Sequence, residues 1–249
     1  MIYTSVSNEH IKDIKKLNQK KYRDLNNKFI VEGEHLVLEA LKNNLIEEVL
    51  VLEGNNYNFD VKTNYVTLNV LKYITELDNP AKIIGICKKK NDIIKGNKIL
   101  ILDEIQDPGN LGTIIRSSVA FNIDTIILSR TGVDLYNSKV IRATQGMIFN
   151  INIVTGNLKE EVKKLKENNY KILTTRVDNG KLVSTIEKNN KFAIIIGNEG
   201  QGVSKELQDL SDEFIYIKMN KKCESLNAGV AASIILYELS RWVLWKNKK

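Results

Sequence analysis

The chain has few residues of the three kinds that most often reveal a metal site or a rigid loop. Its 249 residues include only two cysteines, two prolines and two histidines. Cys87 and Cys223 lie far apart in the sequence, and together with His10 and His35 they form no metal-ligand spacing. We therefore expect no bound metal and a reducing, cytoplasmic setting.

Long apolar stretches are also lacking. The N-terminus has no apolar core of the signal-peptide type, and no run reaches the length needed to cross a bilayer. We therefore expect a soluble intracellular protein that has no membrane partner.

Basic residues exceed acidic ones by a small margin. Lys and Arg total 37 while Asp and Glu total 30, a formal net charge of +7. This balance permits binding to a polyanion but does not prove it. The segment from Ile11 to Lys28 predicts a basic amphipathic helix with apolar residues at helical spacing. These are Ile11, Ile14, Leu17, Tyr22 and Leu25. The predicted RNA-binding residues between them are Lys15, Lys16, Lys20, Lys21 and Arg23. A solvated helix face explains the same pattern equally well.

The pattern of apolar runs divides the chain into two α/β domains. Residues 1–92 alternate short strands with helical segments, which is typical of a small α/β domain. A polar segment from Lys88 to Asn97 then separates two apolar strands. Residues 97–249 contain six short strands, rich in β-branched residues, with helices between them. Such alternation predicts a mainly parallel sheet that is buried on both faces.

Three polar loops that contain glycine follow strands of the second domain. In parallel sheets, ligands bind at the carboxyl ends of strands, where these loops lie. The first loop predicts Asn110 as the N-cap of a helix that carries Arg116, a residue suited to phosphate binding. The second runs from Gly197 to Gly202 and lacks the dinucleotide and P-loop fingerprints. The third brings a hydroxyl and an amide, Ser225 and Asn227, to the start of the last helix. Alone, each loop is explained by helix capping or by an exposed acid or ion pair.

Together, the three motifs resemble the signature of the SpoU (TrmH) family of the SPOUT superfamily. Its members are S-adenosylmethionine-dependent RNA ribose 2′-O-methyltransferases with a knotted α/β fold. The resemblance covers roughly the last 150 residues and depends on three spaced motifs. It implies a C-terminal SPOUT domain with S-adenosylmethionine as cofactor. It also implies a trefoil knot, which contradicts the usual rule against threading.

The resemblance also implies roles for single residues. The catalytic positions are Asn110, Arg116, Glu199, Ser225 and Asn227, and Arg116 also counts as an RNA contact. The cofactor-binding positions are Gly197, Asn198, Gly202, Ile217, Met219, Ser225, Leu226 and Asn227. In the family the arginine is the base for the ribose 2′-hydroxyl, but a guanidinium pKa above about 12 leaves almost no neutral form. Arg116 is therefore either a proton acceptor or a phosphate clamp. Lys218 and Lys221 replace a common proline and glycine, and we expect cofactor binding to be retained.

The start of the first domain carries a softer resemblance. The segment from Phe29 to Gly33, Phe-Ile-Val-Glu-Gly, resembles the L30e-like substrate-binding domain that often precedes SpoU domains. This favours structured RNA, and large-subunit (23S) rRNA in particular, as the substrate. A tRNA ribose methyltransferase is the alternative enzyme, and a non-catalytic RNA-binding protein on a SPOUT fold is the alternative of another class. Family members are dimers, so an apolar stripe on the last helix predicts a homodimer interface. Its residues are Leu239, Trp242, Val243 and Trp245.

Overall fold

The chain folds into two compact units. The computed structural model describes residues 2–187 and 189–244, with the backbone alone for 242–244. One unit comprises Met1–Asn91 and Asp134–Phe149, and the other comprises Asp92–Val133 and Asn150–Lys249. The segment Asp134–Phe149 therefore lies with the first unit, a detail that is absent from the two ranges predicted from the sequence.

The first unit is built on a mixed sheet. Its elements are β1 (Ile2–Tyr3), α1 (Glu9–Lys16), α2 (Lys20–Asn26), β2 (Lys28–Glu32), α3 (Glu34–Lys42), β3 (Ile46–Leu52), β4 (Lys62–Val66), α4 (Leu68–Ile74) and β5 (Ile83–Lys88). Within the described residues, five strands pair in the order β1-β4-β3-β5-β2. Strands β3 and β4 are parallel, whereas β5 is antiparallel to both of its neighbours. This arrangement confirms the predicted small α/β fold.

The predicted basic helix is two helices with a break after α1. The side chain of Asn18 at the break donates to the carbonyl of Ile74 at 2.8 Å, which ties the break to α4. The apolar residues of α1 are buried as predicted, and they pack on α4. Leu25 on α2 is instead 75% exposed, because the break ends the continuous apolar stripe.

Arg23 belongs to the interior of the first unit. Its guanidinium donates to the carbonyls of Leu17 (2.9 Å) and Asn18 (2.7 Å) and pairs with Asp134. The side chain is 7% exposed. The structure does not support Arg23 as an RNA contact, because its charge is already compensated and its side chain is withdrawn from solvent.

The remaining elements follow in chain order. They are β6 (Lys98–Leu102), α5 (Pro108–Ala120), β7 (Thr125–Ser129), α6 (Ser138–Thr144), β8 (Asn152–Gly156), α7 (Leu158–Glu167), β9 (Lys171–Thr175), β10 (Lys181–Leu182), β11 (Phe192–Ile196), α8 (Lys205–Gln208), β12 (Glu213–Tyr216) and α9 (Ala228–Leu244). All but α6 belong to the second unit. In the part of the chain that the structure describes, seven strands form a sheet in the order β10-β12-β9-β11-β6-β7-β8. Every pairing in it is parallel, which confirms the predicted parallel sheet.

The centre of this sheet positions the site. Strands β6 and β11 pair over five residues, and all of β11 is buried. Just past their ends, the N–H of Asp103 donates to the carbonyl of Ile196 at 2.9 Å. The Asp103 carboxylate then accepts the N–H of Ser204 at 2.7 Å. The loops after β6 and β11 are therefore held side by side at the carboxyl edge of the sheet.

The trefoil knot that the family resemblance implies stays a prediction.

The segment Asp134–Phe149 completes the core of the first unit. The ring of Phe29 lies 4.6 Å from that of Tyr136 and 6.4 Å from that of Phe149, measured between centroids. Val140 and Ile141 of α6 are buried as well. Met147–Asn150 then forms a short 3₁₀ helix, and β8 begins at Asn152.

No helix in the two described ranges is long and apolar enough to cross a bilayer. Among the same residues, no three His, Cys, Asp or Glu side chains are grouped to hold a metal ion.

Candidate active site

The site begins at the first turn of α5. Asp107 caps this helix, because its carboxylate accepts the N–H of Asn110 at 2.7 Å. Pro108 occupies the first helical position, where a missing N–H costs nothing. Asn110 therefore lies inside the helix, and the prediction that it is the N-cap is wrong. Its side chain is buried and available for other contacts.

The loop after β11 is tight and closed. Asn198 and Gly202 exchange backbone hydrogen bonds of 3.1 and 3.0 Å. The Asn198 side chain accepts the N–H of Gly200 at 2.8 Å and donates to the carbonyl of Glu104 at 2.9 Å. A Cβ atom at Gly197 would lie 2.1 Å from the carbonyl carbon of Gly202, so the loop requires glycine there. Gly202 has a φ of +71°, which favours glycine as well.

One line of hydrogen bonds joins the three motifs. The Asn110 side-chain amide donates to Glu199 Oε1 at 2.8 Å, and its oxygen accepts from the Asn227 amide at 2.8 Å. The oxygen of Asn227 accepts the N–H groups of Gly229 (3.0 Å) and Val230 (3.2 Å), so Asn227 caps α9. Because backbone N–H groups fix the orientation of Asn227, they also fix that of Asn110. We call Glu199, Asn110 and Asn227 the polar line.

Glu199 is held as a carboxylate. It accepts the backbone N–H groups of Gln106 and Asp107, each at 3.3 Å, in addition to the amide of Asn110. Burial acts to raise the pKa of Glu199, but these hydrogen bonds outweigh it and lower the pKa below its usual value. The polar line therefore ends in a fixed negative charge at neutral pH.

A cavity of about 590 Å³ opens beside this charge. Its lining includes Gly197, Asn198, Glu199, Gly202, Ile217, Met219, Ser225, Leu226 and Ile235. The volume falls within the usual range for small-molecule sites, about 300–1,000 Å³. Apolar side chains on one wall and the glycine loop on another suit a ligand with a flat heterocycle and a polar, positively charged tail. Seven of the eight predicted cofactor residues line this cavity, whereas Asn227 contributes through the polar line.

Two predicted catalytic residues stand apart from the polar line. Ser225 lines the cavity but is exposed, and it is Asn227 that caps the last helix. Arg116 is exposed on α5, about 9 Å along the helix axis from Asn110. No described side chain pairs with the guanidinium of Arg116, which leaves it available to an anion from outside.

The sequence analysis missed two residues that shape the site. Asp107 is an acid directly before a proline, a recognised signal for a helix start. Arg176 follows β9, and its guanidinium carbon lies 3.7 Å from the centroid of the Phe214 ring, on the cavity wall. No sequence signal identified Arg176.

Two comparisons by sequence concern most of the chain. Residues 97–237 match the SpoU rRNA Methylase family, and residues 8–85 match the MRM3-like substrate binding domain. The chain is 37% identical over 241 residues to the 23S rRNA (guanosine(2553)-2′-O)-methyltransferase RlmP of Bacillus subtilis. That match covers 94% of this chain and 97% of the relative.

Solved structures share the whole architecture. An AdoMet-bound rRNA methyltransferase from Sinorhizobium meliloti superposes with a TM-score of 0.87 at 28% identity, covering 98% of both chains. An RNA 2′-O ribose methyltransferase superposes with a TM-score of 0.83 at 28% identity, covering 98% of this chain and all of the other. The chain therefore belongs to the SpoU rRNA methylase family and is an RNA methyltransferase that uses S-adenosylmethionine.

Proposed function

We propose that the chain methylates the ribose 2′-oxygen of one nucleotide in 23S rRNA. The polar line beside the 590 Å³ cavity carries this proposal, because it joins all three motifs around a ligand-sized space. The relative from Bacillus subtilis, which matches nearly the whole chain, supports 23S rRNA as the substrate. In this proposal residues 97–249 hold the cofactor and carry the chemistry, and residues 1–92 capture the RNA in the cytoplasm.

The cavity walls divide the work of cofactor binding. Ile217, Met219 and Leu226 pack on the adenosine, since apolar lining favours a flat heterocycle. The backbone from Gly197 to Gly202 holds the methionine part, and the hydroxyl of Ser225 completes the polar side of the cavity. Glu199 places a negative charge close to a cofactor that carries positive charge on its sulfur and its ammonium group.

S-adenosylmethionine supplies a methyl group on a positively charged sulfur. When the cofactor is bound, this methyl group would pass to the ribose oxygen: the carbon–oxygen bond would form as the carbon–sulfur bond breaks, and the electron pair would remain on sulfur. The hydroxyl proton leaves to water. What the protein must supply is alignment of the two reactants. Asn110, Asn227 and Glu199 do this by locking the three loops to each other.

Arg116 binds the RNA phosphate next to the reacting ribose. It is exposed, and no described carboxylate neutralises its charge. A guanidinium pairs with phosphate through two parallel hydrogen bonds, which would fix the orientation of the ribose. We expect Arg116→Ala to abolish transfer while cofactor affinity changes less than twofold. Arg116→Lys separates the two roles of Arg116. If the arginine is a phosphate clamp, this variant should mainly raise the KM for RNA, and if it is a proton acceptor, the variant should mainly lower kcat.

We also propose a homodimer through the second unit. Of the predicted interface stripe, Leu239 is 3% exposed and packs inside its own unit, so it was wrongly placed in the interface. The side chains of Trp242 and Val243, and all of Trp245, lie outside the described residues. Val230 and Tyr237 on α9 are 46% and 48% exposed, and these apolar groups support a partner on this helix. Light scattering after size exclusion tests the proposal, because a single-chain mass at micromolar concentration would refute it.

The substrate is tested with labelled S-adenosylmethionine and RNA from a strain that lacks this gene. Total rRNA and tRNA are assayed in separate reactions. We expect label in 23S rRNA, as an alkali-resistant dinucleotide, and none in tRNA. Label in tRNA alone would favour the tRNA alternative, and absence of both transfer and cofactor binding would favour a non-catalytic RNA-binding protein.

A further inference from the structure

A groove lies between α1 and α4 on the first unit. It has a volume of about 440 Å³, and we call it the α1–α4 groove. It is lined by Lys12, Lys15, Lys16, Asn18, Gln19, Tyr73 and Glu76. Its base is rigid, because apolar residues of α1 and α4 pack in one buried cluster below it.

The groove carries positive charge that the protein itself leaves uncompensated. Among the described residues, no acidic side chain pairs with Lys12 or Lys15, whereas Lys16 pairs with Asp13 at 2.8 Å. Other basic side chains of the first unit are neutralised by acidic partners. Examples are Lys28 and Lys88, which share Glu47. The one acid in the lining, Glu76, accepts a hydrogen bond from Ser138 at 2.6 Å and keeps its negative charge, so the three lysines leave the lining with a net positive charge.

An aromatic ring lines the groove together with these lysines. Tyr73 is 36% exposed although its helix neighbours Val70, Leu71 and Ile74 are completely buried. The Nζ atom of Lys15 lies 5.8 Å from the centre of the ring. An exposed aromatic face flanked by free lysines is the arrangement with which proteins bind unstacked nucleotides, since the ring stacks on a base and the lysines contact phosphates.

One polar side chain at the rim has no hydrogen-bond partner among the residues that the structure describes. Gln19 precedes α2 and is exposed, and its side chain makes no capping hydrogen bond. Its amide offers both a donor and an acceptor to the edge of a base. Asn18 beside it is instead occupied with the carbonyl of Ile74.

We propose that the α1–α4 groove holds one unstacked nucleotide of the RNA substrate. The base stacks on Tyr73, Lys12 and Lys15 bind the adjoining phosphates, and Gln19 contacts the edge of the base. This inference rests on the proposed function, because it identifies how that substrate is captured. It assigns the main anchoring role to Tyr73 and Lys12, neither of which was among the RNA-binding residues predicted from the sequence.

The test compares full-length variants for equilibrium binding to a labelled 23S rRNA fragment. Tyr73→Ala should weaken binding by roughly 5- to 100-fold, whereas Tyr73→Phe should change it less than twofold, because stacking needs the ring and not the hydroxyl. Unchanged affinity in Tyr73→Ala, or an equal loss in both variants, would overturn the stacking role. The melting curve and the cofactor affinity, which should both stay at the wild-type values, report that the first and the second unit of each variant are folded.

The lysines are tested by salt dependence. The double variant Lys12→Ala with Lys15→Ala should reduce the slope of log affinity against log salt by about 1.4–1.8, the value expected for two phosphate contacts. Lys82→Ala with Lys163→Ala removes the same charge from exposed positions outside the groove and should leave the slope unchanged. Equal slopes for the two double variants would overturn the phosphate contacts.

The wild-type protein separates the two proposals. If it neither binds nor methylates 23S rRNA, the proposed function fails, and the groove proposal fails with it. If it does both and the groove variants match it, only the groove proposal fails. Variants that bind RNA normally but no longer bind an acidic protein would likewise overturn it, since the groove would then be a protein-docking surface.

Discussion

Removing the side chain of Asn110 tests whether the polar line holds the site together. Asn110→Ala deletes one hydrogen bond to the Glu199 carboxylate and one to the Asn227 amide, both 2.8 Å long. A bond to a charged group contributes about 1.5–3 kcal/mol and a neutral one about 0.5–1.5 kcal/mol. Since Glu199 is exposed to solvent, we take the lower end for the first bond. The free energy of unfolding should therefore fall by about 2–3 kcal/mol.

Two measurements report this loss. The melting temperature should fall by about 5–10 °C, given about 2–4 °C per kcal/mol for a protein of this size. Methyl transfer should fall at least tenfold in kcat/KM, because the loops that align the reactants are no longer joined. A decrease in stability below about 1 kcal/mol together with transfer within twofold of wild type would refute the reasoning.

Ser117→Ala is the matched control. Ser117 lies on the same helix, and its hydroxyl bonds to that of Ser233 on α9 at 2.6 Å. This variant also removes a hydrogen bond between α5 and α9, at a cost of about 0.5–1.5 kcal/mol. It should leave methyl transfer unchanged. An equal loss of transfer in Ser117→Ala would mean that general loosening, rather than the polar line, limits the reaction.

Three further predictions follow from the geometry. The hydrogen bonds lower the pKa of Glu199. Wild type should therefore be more stable than Glu199→Gln above about pH 5, and this advantage should disappear as the pH falls through the lowered pKa. Chemical unfolding from pH 3 to 7 measures the difference, and an advantage that grows in acid would contradict the prediction. Gly197→Ala should weaken S-adenosylmethionine binding more than tenfold by calorimetry, because its Cβ atom would meet backbone at 2.1 Å, while Gly200→Ala, which meets nothing nearer than 3.6 Å, should stay within twofold. Arg23→Ala should lower the free energy of unfolding by about 3–5 kcal/mol, because it leaves Asp134 without its buried partner. RNA affinity, measured at a temperature where the variant is folded, should stay unchanged. A stable variant with weakened RNA binding would show that Arg23 contacts RNA.

The parallel sheet was predictable because its strands are short, apolar and separated by helices. The ends of elements were less so, since Asp107 and Asn110 both satisfy the rules for a helix cap. Only the position of Pro108 decides between them. The same ambiguity affected Ser225 and Asn227, of which only Asn227 caps α9.

Contacts between distant residues had no sequence signal. The motifs indicated that Asn110, Glu199 and Asn227 matter, but not that they bond to each other across 89 and 117 residues. Arg23 was predicted to be an exposed basic residue, because nothing in the local sequence distinguishes it from Lys20 or Lys21. Its burial depends on an acid 111 residues later in the chain.

The segment Asp134–Phe149 has a consequence for how the protein is made. The first unit is discontinuous, so the ribosome finishes β6 and β7, the first two strands of the second unit, before it supplies the last piece of the first unit. Until that piece emerges, the buried charge of Arg23 has no counter-ion and Phe29 lacks its two aromatic neighbours. The N-terminal unit therefore cannot complete its core during synthesis by the time residue 92 has appeared. A gene fragment that stops there encodes an incomplete fold, and a continuous first unit requires residues 1–91 to be joined to 134–149 through a new linker.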